Sequence, residues 1–248
     1  MKKIFALTLA VLFVLALAGC KKPANDSGKD VKGEGVMTYA EYMAAELEAQ
    51  VVIETYVQAK QSWWDNKATI YTQDHDGAYF IYEMTCSEED YAKLVPGTKI
   101  KVTGYKAEWS GEIEIGSGAT FEIEEGSYIA SPVDLTSVFG KDELVNYQNQ
   151  MFEVKGAVVE AIGQNDDGSD AAFFYKWNNA GVDGDDLYFK VNIGGQSFTF
   201  TVESYLCDNT TEVYNAVKNL KIGDTIDVTG FLYWYEGANP HVTAIKVK

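Results

Sequence analysis

"LVPGTKIKVTGY" (Leu94 to Tyr105) and "LKIGDTIDVTGF" (Leu220 to Phe231) align without a gap. Leu, Gly, Ile, Val, Thr and Gly recur in place, and Tyr105 meets Phe231. Further on, Trp109 meets Tyr235 and Gly111 meets Gly237. So dense a match inside one chain is a duplication, and the sequence is read as two copies of one unit. Each segment is a glycine-containing turn followed by alternating apolar and polar residues, the pattern of a half-buried strand. Ile100, Val102 and Gly104 share one face of it. A glycine closing such a strand marks a bulge, or a bend where a small barrel turns a corner.

Working outward, copy one opens with "TYAEYMAAELEAQ" (Thr38 to Gln50), a helix with Thr38 and Glu41 as its capping box. "VVIETYVQA", "KATIYTQ" and "AYFIYEM" are strands, separated by the loop "KQSWWDN" and the turn "DHDG". "SEEDYAKL" is a short helix capped by Ser87. The repeated strand, the turn "EWSG" and a fifth strand from "EIEIG" complete the copy. Copy two has the strands "MFEVKGAVVEAI", "DDLYFKVNI" and "QSFTFTVES", then a helix, "TTEVYNAVKNL", capped by Thr210 or Asn209. The repeated strand and "HVTAIKVK" follow. Its first loop, Gly163 to about Gly184, is much longer, and "AAFFYKW" within it can add strand. Five strands with a helix between the third and fourth is the order of the OB-fold, a partly open Greek-key barrel. The expected fold is all-β with short helices: two OB-fold-like five-stranded Greek-key barrels in tandem, over residues 37–131 and 132–248.

"MKKIFALTLAVLFVLALAGC" places two lysines before an apolar run that ends in Leu17-Ala18-Gly19-Cys20. This resembles the lipobox of bacterial lipoproteins, in which the cysteine is lipidated. The resemblance implies a signal peptide over residues 1–19, lipidation at Cys20 and a membrane-anchored, extracytoplasmic chain in the bacterial cell envelope. Residues 20–36 are polar and rich in Gly and Lys, and read as a flexible tether. Most of residues 37–124 resembles the secreted OB-fold modules found in bacterial lipoproteins and fused to extracellular nucleases. The matching positions are Thr38, Ala40 and Glu41 of the leading helix and Gln73, Asp74, Asp76 and Gly77 of the turn between strands two and three. In copy two Gly194-Gly195 replaces that turn. The resemblance implies the fold; activity is not carried by it.

Charge and chemistry narrow the function. The formal charge is −17, there is no arginine, and loss of the signal peptide brings the sum to about −19. Such a chain is expected to disfavour nucleic acid, whose binding rests on phosphate neutralisation. Nucleophile and nucleotide motifs are absent. Of the two histidines, His75 sits in a polar turn between Asp74 and Asp76, a weak metal pattern, and His241 begins the last strand. Asp166, Asp167 and Asp170, with Asp183 and Asp185, form a weak calcium pattern in the long loop of copy two; no other cofactor is indicated. Cys86 and Cys207 either bridge or remain buried thiols.

The tryptophans carry the functional expectation. An OB barrel binds ligands on strands two and three, between its first loop and its strand four to five turn. Trp63, Trp64 and Trp177 fall in first loops, and Trp109 and Trp234, with Tyr235, at strand four to five turns. Tyr71 on strand two and Tyr79 and Tyr82 on strand three extend the set. They read either as an aromatic platform or as packing between the barrels. The expected function is a non-enzymatic envelope lipoprotein binding a saccharide, peptide or protein. The alternatives are a nucleic-acid-binding accessory, by analogy with the nuclease-fused modules, and a hydrolase using scattered carboxylates.

Overall fold

The computed structural model describes residues 30–248. The expected signal peptide over residues 1–19, Cys20 and the first part of the expected tether lie outside the described residues. In the first unit, α1 (Tyr39–Ala44) leads into β1 (Gln50–Lys60), β2 (Lys67–Gln73) and β3 (Ala78–Thr85). Then come α2 (Glu88–Lys93), β4 (Thr98–Trp109) and β5 (Glu112–Ile115), which resumes after a break as β6 (Thr120–Ser127). The sheet runs β1-β2-β3-β5-β4, and β4 pairs back onto β1, closing a barrel. Every ladder in it is antiparallel except β3 with β5.

The second unit contains β7 (Val133–Asp134), β8 (Met151–Glu160), β9 (Gly163–Gln164), β10 (Asp170–Ala171) and β11 (Phe173–Tyr175). It continues with β12 (Leu187–Ile193), β13 (Gln196–Val202), α3 (Glu212–Lys218), β14 (Thr225–Phe231) and β15 (His241–Val247). Here β8-β12-β13-β15-β14 closes on β8 in the same order, with β7 and β11 added outside. The chain is therefore two OB-fold-like barrels in tandem. Strand β9 pairs only with β10, as a small hairpin in the long first loop.

The repeated segments are the equivalent strands β4 and β14. Ile100 and Val102 lie in one core, Ile226 and Val228 in the other. A side chain at Gly104 would overlap Ile115, and one at Gly230 would overlap the His241 carbonyl, so strands four and five cross too closely for a Cβ. The β14–β15 register slips between Thr229 and Gly230, as the bulge reading expects.

Three local expectations are corrected. Helix α1 stops at Ala44, because Glu48 adopts φ 65 to turn the chain into β1 and Lys106 Nζ holds the Met43 and Ala45 carbonyls at 2.7 and 2.8 Å. Helix α3 is capped by Thr211, since the Thr210 hydroxyl is turned toward Asp208. Residues 30–36, expected within the flexible tether, pack on the first barrel: Val36 is buried, and Lys32 Nζ pairs with Asp74 Oδ2 at 2.6 Å, with both side chains buried.

Candidate functional site

The alternation along β3 divides its residues between two environments. Tyr79 and Ile81 face the barrel core, while Phe80 and Tyr82 face outward with Tyr71 of β2. This outer face is the one an OB barrel uses for ligands. The second barrel covers half of it. Tyr71, Phe80 and Phe231 form a buried cluster with Met151, Leu206 and Tyr233 against it. Tyr71 stacks on Phe231 at 4.4 Å and 12°, and its hydroxyl lies 2.8 Å from His241 Nδ1. Tyr71 is thus no ligand residue; it is sealed between the barrels, with no exposed surface. His241 is buried too, stacked on Tyr233 at 4.5 Å, and burial pulls its imidazole down to about 3.

The other half of the face stays open. Trp64, Tyr82 and Tyr205 line a cavity of about 410 Å³ with the polar side chains of Gln61, Thr69, Lys67 and Glu83. Trp64 is 58 % exposed, Tyr82 41 % and Tyr205 66 %. Lys67 Nζ pairs with Glu83 Oε2 at 3.0 Å and lies 5.3 Å from the Trp64 ring. The pocket is composite. Tyr205 belongs to the second barrel and is fixed by Ser62 of the first, whose backbone N–H and hydroxyl donate to the Tyr205 carbonyl at 2.7 and 3.1 Å.

The adjacent tryptophans of the first loop go separate ways. Trp63 turns in, half-buried, and its indole N–H donates to the Cys86 carbonyl at 2.9 Å. Trp64 turns out into the pocket. Trp234 is half-buried, with its backbone N–H donating to Glu112 Oε2 at 2.9 Å, so it wedges the barrels together. Trp109, Trp177 and Tyr235 are exposed, and none of them lines the pocket. Of the nine candidate rings, Trp64 and Tyr82 border this cavity. Tyr205 was not expected there. It lies in a connection with no period to mark its exposure, and only the docking of the barrels brings it to Trp64.

The motif Gln73-Asp74-His75-Asp76-Gly77 is structural. Asp74 Oδ1 accepts from the Asp76 and Gly77 amides at 2.8 and 2.7 Å, and Oδ2 accepts from Tyr79 Oη at 3.1 Å and from Lys32. His75 Nδ1 lies 3.0 Å from Asp30 Oδ2, and its ring packs on Tyr128 at 4.0 Å. Gln73 Oε1 accepts the Met151 amide at 2.9 Å, a bond between barrels. Among the described residues no group of three or more His, Cys, Asp or Glu side chains is arranged for a metal. Asp167 is held by Ser169, Asp183 by Lys218 and Asn209, and Asp185 by Lys176, while Asp166 and Asp170 are exposed. Cys86 and Cys207 are separate buried thiols, each pushed up to about 11 by burial.

Three carboxyls stand out at the seam. Burial pushes Glu112 up to about 8, and Glu114 and Glu203 up to about 7. Such values suit acid–base chemistry, but Glu112 has no exposed surface and neither histidine borders the pocket.

No family model matches this sequence, and no curated protein is similar to it. Among solved structures, it is similar to an Ifi202 HINa domain in complex with 20 bp double-stranded DNA, at 12% identity and a TM-score of 0.35, over 82% of this chain and 97% of that one. A murine DNA-binding protein bound to double-stranded DNA matches at 9% identity and a TM-score of 0.36, over 79% and 94%. A replication protein A heterotrimer bound to single-stranded DNA matches at 10% identity and a TM-score of 0.33, over 80% of this chain and 49% of that chain. The expectation that net charge disfavours nucleic acid is corrected on physical grounds, and the neighbours above were solved on DNA. The physical reason is that a sum over the whole chain does not describe one face, where stacking and local charge act.

Proposed function

We propose that this chain is a non-enzymatic binding protein whose open half-face stacks a ring of its ligand, and that the ligand is a single-stranded oligonucleotide. The observation that supports it is the pocket of Trp64, Tyr82 and Tyr205 on the strand two to three face, with Lys67 at its edge. Bases stack on such rings at roughly 1–3 kcal/mol each, with little regard for sequence. Binding of labelled oligonucleotides to the purified protein, followed by anisotropy, tests this. Trp64→Ala and Tyr205→Ala should each weaken binding about tenfold or more. Wild-type protein that binds no single strand at low salt rejects the reading.

A second ligand class has its own observation. Lys67 is already paired with Glu83, so the pocket also suits an uncharged ring such as a sugar. Oligosaccharides in the same assay, with the same two variants, separate the classes: only oligonucleotide affinity should fall steeply with salt.

The sequence pattern around Cys20 supports a place for this activity, on a lipid-anchored chain outside the cytoplasm. Cys20→Ser should abolish labelling by a fatty-acid analogue and move the chain from the membrane to the soluble fraction; a variant that stays labelled and membrane-bound rejects the anchor.

A further inference from the structure

The barrels are joined by a small set of polar contacts centred on the β4–β5 turn of the first. Gln148 Nε2 donates to the Gly111 carbonyl at 2.7 Å, and Asn149 Nδ2 to the Ile113 carbonyl at 3.2 Å. The Glu236 amide donates to the Ser110 carbonyl at 2.7 Å. Between them lies Glu112, fully buried, with Oε2 accepting the Trp234 amide. Its other oxygen, Oε1, is buried without a hydrogen-bond donor, and so is Asn149 Oδ1 nearby; the Asn149 side chain and the Trp234 amide favour the ionised carboxyl, but burial outweighs them. Two buried acceptors without a donor are costly. A proton on Glu112 removes the charge that its full burial penalises and turns the unsatisfied carboxyl into a donor.

We propose that the contact between the barrels is a proton-held latch: Glu112 fastens the second barrel while protonated, and loss of that proton to solvent loosens the seam and withdraws Tyr205 from the pocket wall.

The surrounding charges favour this direction. Glu114 lies on the same strand and acts against ionisation of Glu112. Tyr39 and Tyr42 face Glu112 from α1, and Tyr71 and Tyr233 face it from β2 and from the second barrel. Glu203, which faces Asp186, Tyr188 and Cys207, adds a third carboxyl to the seam, and Tyr82 faces Glu114. None of these brings a positive charge. His241 is neutral, and the cations nearby are engaged elsewhere: Lys106 with the α1 carbonyls and Lys67 with Glu83. The link to the pocket is covalent and short. Glu203 Oε1 accepts the Tyr205 amide at 3.2 Å, two residues along the chain, and the Tyr205 carbonyl is what Ser62 holds.

Hydrogen exchange of the full chain reads the latch without a ligand. The Ser62 and Glu236 amides bond across the seam, so their protection reports docking. Corrected for the intrinsic pH dependence of exchange, that protection should fall at least about tenfold per pH unit from about pH 6 to about pH 8, of which Glu112 supplies one proton's linkage. Amides of the β1–β4 ladder should hold. Glu112→Gln keeps a neutral donor at this position, so its seam protection should fall with pH about tenfold per unit less steeply than the wild type's, leaving only the share of Glu114 and Glu203. Wild-type protection that is flat overturns the latch, as does a variant that keeps the slope. Should the variant not fold, carboxyl-carbon NMR of the wild type decides: a Glu112 titration that does not coincide with the loss of protection overturns it.

The last step rests on the pocket being the ligand site. Oligonucleotide affinity should fall with the Ser62 protection over the same pH range; affinity that is flat, or that rises, overturns the coupling. No oligonucleotide binding at any pH rejects the pocket reading instead, while the exchange data still decide the latch.

Discussion

At the residue scale, the leading-helix and turn motifs prove to be one contact. Gly77 closes the strand two to three turn, and a Cβ there would overlap the ring of Tyr39, which sits inside the Thr38–Glu41 capping box. That ring packs edge-on against Tyr79 at 5.4 Å, and Tyr79 Oη donates to the same Asp74 that organises the turn. The motif residues therefore clamp α1 to the barrel wall. Gly77→Ala should destabilise the protein by about 1–3 kcal/mol, since a packed ring must move. In a Tyr39→Ala background the same change should cost about 1 kcal/mol less, which a urea double-mutant cycle measures. Equal costs in both backgrounds would refute the clamp. The paired tryptophans obey the same local logic. Consecutive side chains on an extended chain diverge, so one core holds Trp63 through its indole N–H and leaves Trp64 to solvent.

At the scale of elements, most of the fold is legible because the repeated strands carry a period-two pattern and the helices a side-chain cap. The repeated segment, β2, β3 and the Ser87-capped helix lie where the pattern places them. Helix α1 was over-read because Ala45 to Gln50 is helix-favouring composition, and the turn at Glu48 is imposed by the backbone bond from Glu48 to the Lys106 carbonyl, far along the chain. The candidate site was legible only in part. The sequence places rings in the loops bordering the cleft, but it does not contain the docking of one barrel on the other. Phe80 and Tyr82 alternate identically; whether each meets Phe231 or solvent depends on a second domain. Tyr71 departs from its expected place on the ligand face for the same reason. Strand β2 has a polar-looking outer face in Lys67, Thr69 and Gln73, and nothing local marks Tyr71 between them as sealed.

At the scale of the whole molecule, the seam makes stability depend on pH in a direction worth working out. Glu112, Glu114 and Glu203 bind protons more tightly when folded. Their stabilisation is complete below the unfolded carboxyl range near pH 4.5 and is lost as pH rises through about 7 to 8. His241 acts oppositely: its imidazole is held down to about 3, so its stabilisation is complete above about pH 6.5 and is lost as pH falls toward 3. Between about pH 4.5 and 6.5 the two effects compete, and three carboxyls outweigh one imidazole, at roughly 1.4 kcal/mol per pH unit for each proton. The formal charge of −17 adds self-repulsion that also grows with pH. The melting temperature should therefore peak on the acid side, between about pH 4 and 5, and decline toward pH 9. Calorimetry across that range checks it, and His241→Gln, which keeps a partner for the Tyr71 hydroxyl, should flatten the limb below the peak. A maximum near pH 8 would mean that the three carboxyls ionise freely in the folded protein, and that the seam is wetter than its packing implies.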